Sequence, residues 1–264
     1  MTRKIALTGG SSGIGKAIAS RYLANGDDLT ILDVMPPSDM RSSAAKARYV
    51  HLDLADADSI ATAAATLAAD GPFDAVLNVA GVPPLDDNAL VCLTINLVGT
   101  IAFTTAMMGS LSDGASVVTV ASKAGAFWQQ NIDQVKAALS LDMTSDIAGF
   151  IASQDMDATR AYRLSKECLI VWSAQMAASH LQKYRFNSIS PAAVDTAILD
   201  NFKAAFGAIV DQNLAKVGRA GTPDEIADSC VFMASPASNW INGVDLVIDG
   251  GMGAAMLASQ LNAD

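Results

Sequence analysis

Seven short apolar or β-branched runs alternate with alanine-rich stretches of helical length, and that alternation restricts the chain to a parallel sheet wrapped by helices. The runs lie at 3–8, 28–33, 48–52, 73–79, 115–121, 184–190 and 244–249. Between them, 15–25, 58–70, 88–108, 161–183 and 222–234 read as helices, the last with Thr222 as its cap and Pro223 in its first turn. Parallel neighbours need crossovers, so amphipathic helices should cover both faces. A chain of 264 residues can build one such core. The expectation is an α/β, doubly wound sheet in a single domain over 1–264.

Two segments break the rhythm. Over 35–46 only a short Pro-Pro and serine-containing stretch joins two strands, leaving room for no more than a truncated helix. Over 127–159 an additional segment carries Ile132, Val135 and Leu139, then Ile147, Phe150 and Ile151, at helical spacing. It predicts a helix-loop-helix insertion.

Composition removes several function classes. A formal net charge of -10, with no cluster of Lys and Arg, argues against nucleic acid as a partner. Only two of the 27 acids are Glu (Glu167 and Glu225), and Asp suits caps and strand ends, so many of the acids should be structural. Cys92, Cys168 and Cys230 stand far apart, and His51 and His180 are the only histidines, too few ligands for a zinc site or a disulfide framework; no metal is expected. The start turns polar at Thr8, before the roughly 7 to 15 apolar residues of a signal-peptide core. No apolar stretch of about 18 residues is expected to span a bilayer. These points predict a cytoplasmic protein without a membrane partner.

The first run passes directly into Thr8-Gly9-Gly10-Ser11-Ser12-Gly13-Ile14-Gly15 and then a helix. Such a turn brings backbone N–H groups and the positive end of a helix dipole to a pyrophosphate, although alone it reads equally as an ordinary Gly/Ser turn. Asp33, eighteen residues past Gly15, ends the second run. A carboxylate there accepts hydrogen bonds from an adenosine ribose diol and repels a 2′-phosphate, which favours NAD. Asp53, ending the third run, faces the adenine or caps a helix. The same turn also fits G-x-S-x-G with Ser11 as a hydrolase nucleophile, but that elbow needs a downstream His placed by an acid.

Tyr162 and Lys166 stand four apart on one face of a predicted helix. A cation beside the phenol should lower its pKa and make Tyr162 an acid/base near neutrality; the alternative is a plain surface contact.

Together these motifs resemble the short-chain dehydrogenase/reductase family. The match runs through Thr8 to Gly15, Asn78-Val79-Ala80-Gly81, Asn96 in Ile95-Asn96-Leu97, Ser122 in Val120-Ala121-Ser122-Lys123, the Tyr162/Lys166 pair and Asn187-Ser188-Ile189-Ser190-Pro191. The resemblance implies a Rossmann-type sheet in the order 3-2-1-4-5-6-7 and a catalytic tetrad of Asn96, Ser122, Tyr162 and Lys166. It implies that Tyr162 exchanges a proton with the substrate oxygen while nicotinamide exchanges a hydride with its carbon. Ser122 would hydrogen-bond that oxygen, Lys166 would bind the nicotinamide ribose, and Asn96 would hold a water. Val194 and Thr196 would fix the carboxamide, and Asn78 would support the sheet. Gly9, Ser12, Gly13, Ile14, Gly15, Leu54, Ala80, Gly81 and Pro191 would complete the cofactor contacts.

This chain has Pro191-Ala192 where the family usually has Pro-Gly, and Tyr162 follows Ser122 by 40 residues, an unusually long interval that the insertion accounts for. That spacing and the shortened second helix resemble the bacterial 3α-hydroxysteroid dehydrogenase/carbonyl reductase subgroup. The expected function is interconversion of a hydrophobic cyclic or aromatic secondary alcohol, steroid-like ones included, and its ketone. The segment 197–216, with Ile198, Leu199, Phe202 and Phe206, would be the substrate loop. Trp128, Met143, Phe150 and Met156 would either line the pocket or pack the insertion. In this subgroup the insertion covers the usual subunit face, so a homo-oligomer, dimer or tetramer, should assemble elsewhere. A catalytically silent cofactor-binding sensor or scaffold is the competing class, and its mark would be a damaged tetrad.

Overall fold

The computed structural model describes residues 2–38 and 47–261. Seven parallel strands form one sheet, β1 (Lys4–Thr8), β2 (Asp28–Asp33), β3 (Ala47–His51), β4 (Phe73–Asn78), β5 (Leu111–Val120), β6 (Arg185–Pro191) and β7 (Asp245–Ile248), in the order β3-β2-β1-β4-β5-β6-β7. This is the expected order. Residues 39–46 of the short second connection lie outside the described residues.

Side chains alternate across each strand, so one sheet builds two cores. Ala6, Val76 and Val117 face a layer made by α2 (Ala57–Ala68), α3 (Ala89–Leu93), α4 (Thr100–Met107) and, further along, α7 (Ala158–Ser179). Ile5, Leu7, Leu77 and Val118 face the other layer, where α1 (Gly13–Asn25) packs against α10 (Pro223–Ala234). Asp supplies helix caps as expected: Asp56 begins α2, and Asp157 begins α7. Thr222 and Glu225 form a reciprocal capping box on α10.

The apolar run 89–110 corrects the expectation about membrane-length segments. It forms a 22-residue helical stretch containing an 18-residue window of mean hydropathy 1.8, long and apolar enough to cross a bilayer by those criteria alone. Its Cys92, Leu93, Leu97, Phe103 and Met107 are buried in the core, against a sheet already covered on both faces, so the fold uses that apolarity internally. The stretch is also interrupted: between α3 and α4, Thr94–Gly99 is π-helical, with Thr100 Oγ1 donating to the Ile95 carbonyl five residues back.

The insertion follows the predicted pattern, with α5 (Ile132–Ala138) packed along α7 and α6 (Ile147–Ser153) against α3. A buried polar clasp fastens it. Arg160 meets Glu167 two turns along α7 through paired bonds of 3.0 and 2.7 Å, and also reaches Gln134 on α5, while Asn131 donates to Glu167. The segment expected as a loop at 197–216 is instead two helices, α8 (Leu199–Phe206) and α9 (Ala208–Val217). A further helix, α11 (Met252–Leu261), follows β7.

Candidate active site

All strands point the same way, so Thr8, Asp33, Asn78, Val120 and Pro191 emerge at one edge of the sheet. Chain connections reverse direction between β1 and β4, the place where open α/β sheets leave a crevice. Thr8 closes the base of that crevice, its hydroxyl accepting from the N–H groups of Val79 and Ala80 at 3.0 and 3.2 Å.

The glycine turn is held by close backbone approach. Gly9 has φ +71°, and a Cβ there would lie 2.7 Å from Ala80 backbone atoms; one on Gly15 would lie 2.0 Å from the Gly9 carbonyl oxygen. Both positions therefore exclude side chains. Gly13, with φ +49°, faces Thr196, whose methyl would stand 3.6 Å from an added Cβ. Ser12 is the extended N-cap of α1 but makes no side-chain capping bond, and Ile14 follows in the first turn. The N–H groups of that turn thus remain suited to an anionic ligand.

Asp33 ends β2 with its carboxylate fixed by the N–H groups of Ser11 (3.1 Å) and Met35 (3.3 Å). Asp53 accepts from Ala55 N–H at 2.8 Å and forms a local turn; the cap of α2 is Asp56 instead. Leu54 is buried, with its carbonyl against Gly99. Asn78 donates to Thr104 and Thr119 at 2.8 and 3.2 Å, and its buried Oδ1 has no protein partner. Pro191 closes β6, and Val194 bridges to Gly221.

The four tetrad candidates come together. Asn96 sits in the π-helical turn, a local widening frequent at functional sites. Its amide accepts from Val82 N–H (2.8 Å) and donates to the Val82 carbonyl (3.0 Å), bracing the turn after Ala80 and Gly81. A Cβ on Gly81 would lie 3.0 Å from Asn96 Oδ1 and 3.7 Å from Lys166 Nζ, so this glycine lets the two side chains approach. Lys166 donates to the Val120 carbonyl at 3.0 Å, with Nζ 5.7 Å from the centre of the Tyr162 ring. Ser122, two residues past β5, accepts from Ala124 N–H and lies beside the Tyr162 phenol, whose proton affinity it lowers.

One electrostatic expectation is corrected. Burial pushes the Tyr162 phenol up to about 12 against the opposing pull of Ser122, and burial lowers Lys166 to about 8. Desolvation penalises both charged forms and outweighs the expected stabilisation of a phenolate by the ammonium. The phenol therefore keeps its proton at neutral pH.

Four neighbours of the site had no contact with it assigned in the sequence reading. Phe202 and Phe206 of α8 meet the Tyr162 ring edge-on at 5.3 and 6.1 Å, leaving Tyr162 only 5% exposed. Arg163 lies over Phe206 at 5.1 Å. Cys92, one turn before Asn96, is buried behind Tyr162 and Lys166, and burial raises its thiol to about 11. The family resemblance placed the two phenylalanines in the substrate loop, but only the fold decides what they touch. Trp128, Met143, Phe150 and Met156 pack against the core, the plainer of their two readings. The hydrolase arrangement is not assembled: Ser11 donates to the Met35 carbonyl at 2.6 Å, while His51 and His180 contact Tyr49 and the Met176 carbonyl.

Comparison with known proteins identifies the family. Residues 3–134 match the short chain dehydrogenase family model, and 143–253 match that of enoyl-(acyl carrier protein) reductase. The coniferyl-alcohol dehydrogenase of a Pseudomonas species is 31% identical over 95% of this chain and 96% of its own. The chain belongs to the short-chain dehydrogenase/reductase family. D-threitol dehydrogenase of Mycolicibacterium smegmatis is another relative of this short-chain dehydrogenase, 33% identical over 94% of the chain and 92% of the relative. The crystal structure of the 3α-hydroxysteroid dehydrogenase from Pseudomonas sp. B-0831, complexed with NADH, superimposes with a TM-score of 0.81 at 26% identity, covering 96% of this chain and 98% of that one. The short-chain dehydrogenase thus shares its fold with the subgroup that its long Ser122–Tyr162 interval resembles. It is an oxidoreductase of alcohols and ketones in a family that binds nicotinamide cofactors.

Proposed function

We propose that this short-chain dehydrogenase uses NAD to interconvert a secondary alcohol and its ketone, on a hydrophobic cyclic or aromatic substrate. The observation that carries the reading is the gathering of Ser122 and Lys166 on Tyr162, beside a glycine turn whose Gly9 and Gly15 leave no room for side chains. A bound nicotinamide would supply hydride exchange with the substrate carbon.

The remaining chemistry belongs to the chain. Tyr162 Oη, protonated at neutral pH, gives its proton to the carbonyl oxygen during reduction and recovers it during oxidation. Ser122 Oγ donates to the same oxygen and stabilises charge developing on it. Lys166, steadied by the Val120 carbonyl, binds the nicotinamide ribose. Asn96 braces Gly81–Val82 and holds a water through its remaining acceptor capacity. Thr196 and Val194 hold the carboxamide, opposite Gly13.

Asp33 supports NAD over NADP. Its carboxylate is fixed at the end of β2, where it accepts from a ribose diol and repels a 2′-phosphate, and Val34 and Met35 offer no compensating base. Absorbance of NADH formed from a panel of secondary alcohols, and consumed with the matching ketones, tests the proposal. Turnover with NAD and loss of nearly all of it in Tyr162→Phe are expected. A protein that binds NADH but turns over no member of the panel would be a sensor or scaffold instead.

A further inference from the structure

Catalysis by Tyr162 requires a substrate oxygen to reach a phenol that α8 covers. That helix contains no buried residue, and its contact with the phenol is made by Phe202 and Phe206. Phe206 is held on three sides: the Tyr162 ring meets it at 6.1 Å and 69°, Phe202 stacks nearly parallel to it at 6.3 Å and 14°, and the Arg163 guanidinium lies 5.1 Å from its centre. Arg163 is exposed, and among the described residues no carboxylate pairs with it within 4.0 Å, although the chain carries 27 acids against 17 bases. Its charge is therefore directed to a ring.

We propose that Tyr162 and Arg163 bound a slot for the aromatic ring of the substrate, filled in the closed state by Phe206. The substrate's aryl group displaces Phe206 and inherits its partners, an edge-to-face contact with the Tyr162 ring and the guanidinium of Arg163. This narrows the substrate class from cyclic or aromatic to aromatic, and it rests on the alcohol–ketone reading above. The physical reason is that an aliphatic ring of equal size offers similar apolar area but has no π face for the cation and no quadrupole for edge-on contact. Displacing Phe206 therefore costs an aliphatic substrate contacts that an aryl substrate restores. Arg163 acts as a specificity residue and touches no reacting atom.

The test compares 1-phenylethanol with 1-cyclohexylethanol in the wild type, Arg163→Met and Phe206→Ala, with kcat and KM measured separately and folding checked by circular dichroism. The wild type is expected to favour the phenyl compound by about tenfold in kcat/KM. Arg163→Met, which keeps the aliphatic stem, should lose roughly two- to tenfold of that preference, carried by KM, as expected for one cation–π contact. Phe206→Ala leaves nothing to displace, so KM for 1-phenylethanol should fall. A merely structural Arg163 would leave the ratio of the two substrates unmoved. An unchanged ratio in Arg163→Met, a wild type that prefers the cyclohexyl compound, or a raised KM in Phe206→Ala each overturns the slot. Turnover of aliphatic chain alcohols without either test compound would overturn the slot and spare the reaction class; no turnover of any alcohol or ketone would sink both.

Discussion

Removing Arg160 should expose how strongly the insertion depends on one buried charge pair. Glu167 is 2% exposed, and Arg160 supplies two of its hydrogen bonds, at 3.0 and 2.7 Å; Asn131 supplies one more at 2.9 Å. Arg160→Ala takes away both charged bonds and the 2.8 Å bond to Gln134, leaving a buried carboxylate held by the Asn131 amide. Breaking one side of a buried ion pair costs about 3 to 5 kcal/mol, most of it the penalty of the stranded charge. At about 2 to 4 °C per kcal/mol for a domain of this size, the melting temperature should drop by roughly 6 to 20 °C. Thermal denaturation followed by circular dichroism at fixed protein concentration reads this directly. Adding Glu167→Gln should recover part of the loss, because no charge is then stranded. The removed contacts run toward α5 rather than toward the Tyr162 phenol, so turnover per folded molecule well below the transition should change little. A melting temperature within about 2 °C of wild type would refute the cost assigned to the stranded carboxylate.

Other tests address the chemistry. Tyr162→Phe should lose at least about 100-fold in kcat while NADH binding, followed by fluorescence titration, stays close to wild type. Because burial holds the phenol up near 12, carbonyl reduction should be level through neutral pH and fall only in strongly alkaline solution, whereas alcohol oxidation should climb with pH; an oxidation limb that already levels off near pH 7 would assign the base to another group. Asp33→Ala should narrow the NAD preference in kcat/KM, and equal efficiency of both cofactors in the wild type would remove Asp33 from that role. With α5 laid along α7 and α6 against α3, light scattering should find an oligomer whose crystal interface avoids those helices, and a dimer packed through bare α3–α4 and α7 would contradict the proposed assembly.

Sequence alone determined the features that depend on neighbours along the chain. Alternation of short apolar runs with helical stretches specified the parallel sheet, because burying both faces of a strand and one stripe of a helix leaves few other solutions. The Thr222 cap and the two helices of the insertion were legible for the same local reason. So was the candidate tetrad, whose members each sit in a short motif: Ser122 follows β5 at one edge of the sheet, and the helical segments that carry Asn96, Tyr162 and Lys166 pack beside it. What the tertiary structure decided depends on groups distant in sequence. The π-helical turn at Asn96 and the core role of the apolar 89–110 helix follow from packing against the sheet and α7. The high phenol pKa follows from desolvation, which the i to i+4 spacing of Tyr162 and Lys166 does not encode. Phe202 and Phe206 were visible as apolar residues, but their placement on Tyr162, some 40 residues earlier, is a long-range contact that helical periodicity leaves open, because it specifies which face of α8 is apolar and not what that face meets.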